Sequence, residues 1–190
     1  NTLVDTDLAT GWTEQEAFLG KAQKRVLTGL KHIDEARPFQ RLGIDSDTGG
    51  EFINWLLYTF CQDNAIAFTR GRPGKKNDNP YVEQKNWTHV RKIVGYHRYD
   101  TQEQVNLLND LYRHELRLYE NFFQPVMKLM KKHREGGRQH RVYDTPQTPY
   151  QRVLASPYVS ETKKQEFRVL YTTLNPAALR RKIELKLQTL

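Results

Sequence analysis

A chain of 190 residues with a formal net charge of +8 and one cysteine can build one full domain, or one domain with a helical extension, and excludes a disulfide framework in favour of a reducing compartment. No run approaches the roughly 18 apolar residues of a membrane span. The opening Asn1-Thr2-Leu3-Val4 has neither an initiator Met nor a signal-peptide pattern and reads as the middle of something longer. Charge is uneven: residues 1–69 carry six basic and ten acidic side chains, 70–110 eight and five, and 111–190 sixteen and seven. A basic surplus of that kind fits a polyanion partner or an ordinary solvated surface.

Leu3 to Leu8 reads as a short strand, Thr10-Gly11 as a turn, and Trp12 to Leu19 as the second strand of a hairpin. Ala22, Val26, Leu30 and Ile33 form one apolar stripe, which predicts a helix from Lys21 to Glu35 that ends before Pro38. Leu42-Gly43-Ile44 is a brief strand leading into Asp45-Ser46-Asp47-Thr48-Gly49-Gly50, and a helix is expected from Glu51 to Asn64. Ala65 to Thr69 is a further strand. Residues 70–80 form a loop, with Gly71, Pro73 and Gly74 close together. Tyr81 to Arg98 returns to helix, with Pro80 suited to its first turn. This alternation predicts an α/β layer with helices packed on a mixed sheet. Beyond it, a helix is expected from Thr101 to about Leu129, open to interruption at Pro125. A basic connector with Gly136-Gly137 follows, then an extended Asp144 to Pro149, then two helices at 161–173 and 176–188. The expected division is 1–110 for the core and 111–190 for a helical, basic C-terminal extension.

Two carboxylates carry the densest chemistry. Asp47 follows a short strand, and Glu83 opens the helix after the long loop. A carboxylate beyond a strand end and one in a returning helical turn can meet over a sheet edge. Oxygen donors of that type suit Mg²⁺, and paired ions about 4 Å apart can activate an attacking oxygen and stabilise a leaving one. Asp47 could equally cap the following helix.

The segments around these residues carry a resemblance. Residues 43–54, Gly-Ile-Asp-Ser-Asp-Thr-Gly-Gly-Glu-Phe-Ile-Asn, resemble the second-Asp segment of the Asp-Asp-Glu superfamily of insertion-element transposases and retroviral-type integrases. Residues 75–87, Lys-Lys-Asn-Asp-Asn-Pro-Tyr-Val-Glu-Gln-Lys-Asn-Trp, resemble its Glu segment, and Arg91-Lys92-Ile93-Val94-Gly95-Tyr96 continues the match. Thr48 stands where members often carry Asn, and Gly50 where many carry Ser. The resemblance implies a ribonuclease-H-like mixed sheet flanked by helices. It assigns the second catalytic Asp to Asp47 and the Glu to Glu83, both as ligands of Mg²⁺ or Mn²⁺. Leu3 to Thr13 matches the family's second strand and turn, so neither Asp5 nor Asp7 is assigned to the triad, and the first strand with its Asp is expected to lie outside this chain. The implied activity is DNA integration or transposition by phosphodiester cleavage and strand transfer, with this chain inactive alone.

Arg70, Arg72, Lys75 and Lys76 in the loop, continued by Lys85, Arg91 and Lys92 on the helix, form a basic cluster suited to DNA phosphates or to a plain solvated face. Trp87 is expected to pack its helix on the core. The six histidines have no zinc-like spacing with Cys61. Expected partners are double-stranded DNA ends and target DNA, with self-assembly on DNA in a full-length protein and no membrane. The expected location is cytoplasmic and DNA-associated. The alternatives are a non-catalytic DNA-binding remnant, a non-functional gene fragment, and another metal nuclease of the same fold.

Overall fold

The computed structural model describes residues 1–20, 22–46, 55–71 and 85–190. A hairpin comes first. β1 (Thr2–Thr6) runs antiparallel to β2 (Thr13–Ala17), with Val4 opposite Gln15. Asp7 shapes the turn, its Oδ2 accepting from Thr10 N at 2.6 Å and Thr10 Oγ1 at 2.7 Å. Gly11 completes it at φ +79°, a backbone conformation that costs glycine little. Helix α1 (Gln23–Ala36) buries Val26, Leu30 and Ile33, the stripe its sequence predicts. β3 (Gly43–Ser46) and β4 (Ala67–Arg70) pair in parallel on either side of α2 (Trp55–Asp63).

The two pairs are separate two-stranded sheets. They share one apolar layer: Leu3 of β1, Leu30 and Ile33 of α1, and Leu57 and Cys61 of α2 are buried together, with Ile44 and Phe68 packed against them. Charged groups tie the same elements at their ends. Arg41, just before β3, bonds Asp5 of β1 and lies 2.7 Å from Asp34 of α1, while Arg37 lies 3.6 Å from both acids.

A π-helical turn (Trp87–Arg91) leads into the short helix α3 (Lys92–Val94). α4 (Gln102–Leu111) opens on a capping box between Thr101 and Gln104. A second π-helical turn (Tyr112–Leu116) carries it into α5 (Arg117–Phe123). This continuous helical run covers β2. Ala17, Val94, Val105, Leu108, Leu111, Tyr112 and Leu116 form a second buried cluster, joined by Ile183.

The helical run stops at Phe123, not near Leu129, because Pro125 cannot continue it. The next segment is not a loose connector: β5 (Leu129–Glu135) and β6 (Arg138–Tyr143) form an antiparallel hairpin closed by Gly136 and Gly137 at φ +53° and +86°. Two positive φ values are what a two-residue primed turn demands. α6 (Pro149–Ala155) follows a Thr148–Gln151 capping box. α7 (Glu161–Thr173) and α8 (Pro176–Gln188) are capped by Ser160 and Asn175. Trp12 stacks on Phe167 at 5.1 Å between ring centroids, and Phe122, Tyr150 and Val153 complete a third core. The whole is a mixed α/β core followed by a mainly helical C-terminal extension.

β2 reads Thr-Glu-Gln-Glu-Ala, yet all five residues are buried. Its charged groups have partners, while Gln15 Oε1 has no hydrogen-bond partner among the described residues. Glu14 accepts from Trp12 Nε1 and Arg117 Nε, both at 2.7 Å, and Glu16 accepts from Arg113 Nε at 2.9 Å. The outer edge of the strand is closed by two amides. Asn121 Oδ1 accepts from Thr13 N and its Nδ2 donates to Thr13 O, both at 2.8 Å. Asn109 does the same to Ala17, at 2.6 and 3.0 Å. These side chains supply the hydrogen bonds of a neighbouring strand.

Candidate functional site

A cleft of about 1250 Å³ lies between the two sheets. Asn1 O accepts from Phe18 N and Asp7 N donates to Trp12 O, so the odd-numbered residues of β1 bond to β2. Backbone groups alternate along a strand, which turns those of Thr2, Val4 and Thr6 to the cleft. On β3, Leu42 O and Ser46 O accept from Ala67 N and Gly71 N, so Gly43 and Asp45 turn theirs to the same space. Val26 and Leu30 of α1 line one wall, and Val94, Val105 and Leu108 of α3 and α4 the other.

Asp47 and Glu83, with Arg72, Lys75 and Lys76, lie outside the described residues. Their flanks are described. Ser46, the residue before Asp47, ends β3 opposite Arg70, and its carbonyl accepts from Gly71 N at 3.1 Å. Arg70 is exposed at that strand end. Lys85, two residues after Glu83, reaches inward: its Nζ lies 3.3 Å from His89 Nε2, and His89 Nδ1 lies 2.8 Å from Glu120 Oε1. Gln15 Nε2 joins this group, donating to Glu120 Oε2 and His89 O, each at 3.1 Å. With Lys85 donating to Nε2, the ring proton sits on Nδ1 and faces the carboxylate. Burial pulls the Lys85 ammonium below the ordinary lysine range; Glu120 opposes this and Lys128 adds to it.

Ser46 and Lys85 both line the cleft. Arg91 also lines the cleft, its guanidinium over the ring of Tyr96 at 5.4 Å, while Lys92 is exposed and lies over the ring of Trp87 at 5.9 Å. Trp87 is half exposed and covers the Lys92 ammonium, where a role packing its helix on the core was expected. The described candidates are therefore divided: Arg70 at a strand end, Lys92 away from the cleft, Arg91 on its lining and Lys85 in an interior polar network. That network escapes sequence reading, because Gln15 and Glu120 are separated by 105 positions and no local pattern links them.

The described carboxylates of the cleft have partners. Asp5 is held by Arg41 and Arg37, Asp7 by Thr10, and Asp45 by Thr69 Oγ1 at 2.9 Å. Among the described residues no group of three or more His, Cys, Asp or Glu side chains could hold a metal ion. Among the described residues no helix is long and apolar enough to cross a membrane.

No protein-family model matches the chain. It is 38% identical over 151 residues to the uncharacterized protein y4rM of Sinorhizobium fredii (strain NBRC 101917 / NGR234), a match covering 80% of this chain and 43% of that protein. The chain thus spans less than half the length of this curated relative. Among solved structures it is similar to the catalytic core domain of BIV integrase, with a TM-score of 0.49 and 16% identity over 79% of this chain and 82% of that one. It is also similar to a chain of the simian T-cell lymphotropic virus intasome in complex with PP2A regulatory subunit B56 gamma, with a TM-score of 0.49 and 14% identity over 77% and 61%.

Proposed function

We propose that this chain is a DNA-holding part of a transposase or integrase of ribonuclease-H-like fold, and that it does not cut DNA by itself. The observation that carries the reading is that Ser46, which leads into Asp47, and Lys85, which follows Glu83, line one cleft between parallel-sheet and hairpin strands. Residues 43–54 and 75–87 supply the matching Asp and Glu segments. In the parent activity, Asp47 and Glu83 would hold Mg²⁺ or Mn²⁺, which supplies charge to an attacking and a leaving phosphate oxygen. Arg70, Arg72, Lys75, Lys76, Lys85, Arg91 and Lys92 would neutralise and position the DNA backbone. Self-assembly on DNA belongs to the same reading of a full-length protein.

The non-catalytic state follows from the donors. Among the described residues Asp5, Asp7 and Asp45 are engaged by their neighbours, and the resemblance assigns Asp47 and Glu83 as ligands, one carboxylate fewer than the Asp-Asp-Glu set. The purified chain is expected to bind labelled duplex DNA with an affinity that falls steeply with salt, and to leave it uncut in Mg²⁺ or Mn²⁺. Robust cleavage lost in Glu83→Gln would restore a catalytic role. Failure to bind duplex DNA at 50 mM salt, in a chain that melts cooperatively, would remove the DNA-holding reading.

A further inference from the structure

The cations of the C-terminal half are not equally available. Arg113 and Arg117 pair with Glu16 and Glu14, Arg152 with Asp144, and Lys186 with Asp110 and Glu115. Lys163 pairs with Glu166, Arg168 with Glu161, and Arg180 with Glu184. Beside Arg181 and Lys182 of α8, the largest group of cations without an ion pair among the described residues is on the β5–β6 hairpin. It carries Lys131, Lys132, Arg134, Arg138 and Arg141 against the single Glu135. Every residue of both strands is exposed. Among the described residues none of these five cations has an ion-pair partner.

Their register works against the hairpin. Lys132 stands directly opposite Arg141, and Arg134 opposite Gln139, so three cations share one face. On the other face His133 stacks on His140 at 5.3 Å between ring centroids. Like charges directly across a ladder destabilise it, and an isolated two-stranded hairpin is marginal in water. Here the stem is clamped instead. Lys128 N donates to Asp144 Oδ1 at 2.6 Å, Asp144 N donates to Lys128 O at 2.9 Å, and Arg152 lies 2.7 Å from Asp144. Lys128 Nζ donates to Leu8 O at 2.6 Å, tying the stem to the turn after β1. A rigid base thus carries a ribbon of uncompensated charge into solvent.

We propose that the β5–β6 hairpin is a DNA-binding ribbon that enters the major groove of B-form duplex DNA, with Lys132, Arg134 and Arg141 on the phosphates. A two-stranded ribbon is about 5 Å across its strands and the six-residue arm is about 20 Å long, which fits a B-form major groove about 12 Å wide. The A-form major groove of duplex RNA is too narrow to admit it. Bound phosphates replace the missing counter-charges and relieve the cross-strand repulsion. This inference rests on DNA binding by the chain but not on strand transfer.

The test is fluorescence anisotropy of the 190-residue chain with a labelled 20-base-pair DNA duplex from 50 to 200 mM salt. The Lys132→Ala, Arg134→Ala, Arg141→Ala triple variant should bind more than tenfold weaker at the low end. Its slope of log affinity against log salt should fall by about 2–3, since each phosphate contact contributes about 0.9. A charge-preserving triple, Lys132→Arg, Arg134→Lys, Arg141→Lys, should bind like the native chain. A variant joining Lys128 to Asp144 through Gly-Gly should lose the same affinity while the near-ultraviolet circular dichroism of the Trp12 core is kept. An unchanged salt slope in both the alanine triple and the hairpin deletion, with the native chain still binding, would overturn the hairpin assignment and leave the DNA-holding reading standing. Equal binding of duplex RNA would overturn groove entry. A native chain that binds neither duplex would overturn both.

Discussion

Replacing Asn121 by Leu tests whether side-chain amides stand in for a strand along the edge of β2. Asn121 is fully buried, Thr13 is 2% exposed, and the two exchange a pair of 2.8 Å hydrogen bonds. Leu has similar bulk, so the space stays filled and the change isolates the hydrogen bonds. It strands the N–H and C=O of Thr13 away from water. Each orphaned group costs about 1–3 kcal/mol, the carbonyl at the lower end. Extra apolar burial offsets about 1 kcal/mol, leaving a net loss of about 2 kcal/mol. For a chain of this length that lowers Tm by about 4–8 °C. Urea unfolding followed by far-ultraviolet circular dichroism measures it, with Asn106→Leu on the exposed side of α4 as a control expected within about 0.5 kcal/mol of the native chain. An Asn121→Leu loss below 1 kcal/mol with an unchanged m value would refute the reasoning, because the edge would then be satisfied without the amide.

Three further outcomes are expected. Burial pushes the Tyr112 hydroxyl up to about 12, with a 3.4 Å bond to Thr2 Oγ1 opposing. Its folded value is raised, so its contribution is complete below about pH 10 and is lost as pH climbs towards 12, a decline of about 2–3 kcal/mol. Tyr112→Phe should flatten that alkaline limb in unfolding curves taken from pH 9 to 12, and an unaltered limb counts against it. Gly11→Ala places a Cβ 3.2 Å from Val126 Cγ2 at φ +79° and should cost about 1–3 kcal/mol; a thermal melt within 1 °C of native would contradict this. Leu111→Ala opens a void beside Tyr112 and Leu116 at a position with no exposure, and should cost about 3–4 kcal/mol in the same urea titration.

The parts of the fold that were legible in the sequence are those whose signals are local. α7 and α8 match their expected spans because Ser160, Asn175 and Pro176 mark their starts. α1 follows its apolar stripe. The hairpin at 129–143 was hidden because both of its faces meet water, so no apolar alternation runs along it. The surviving clue was Gly136-Gly137 between two strand-length runs. The stretch expected as extended from Asp144 to Pro149 gives way to helix at Pro149, and α6 went without an expectation, although Thr148, Pro149 and Gln151 are a cap, a first-turn proline and the far half of a capping box. In the candidate site, the carboxylate segments were legible as motifs, and the expected Asp47 and Glu83 lie outside the described residues. The interior placement of Lys85 was not legible, because it depends on Glu120 arriving from another helix.

The two open strand edges also bear on how the molecule behaves in a crowded solution. They look at each other across a space walled by α1 on one side and by α3 and α4 on the other, and the far edge of the first hairpin is sealed by Asn109 and Asn121. Templated fibre growth needs an edge that a flat sheet from a neighbouring molecule can reach. Among the described residues the outer edge of β2 is closed to such a sheet by its two amides, and one reaching β1 or β3 would have to enter between the helical walls of the cleft.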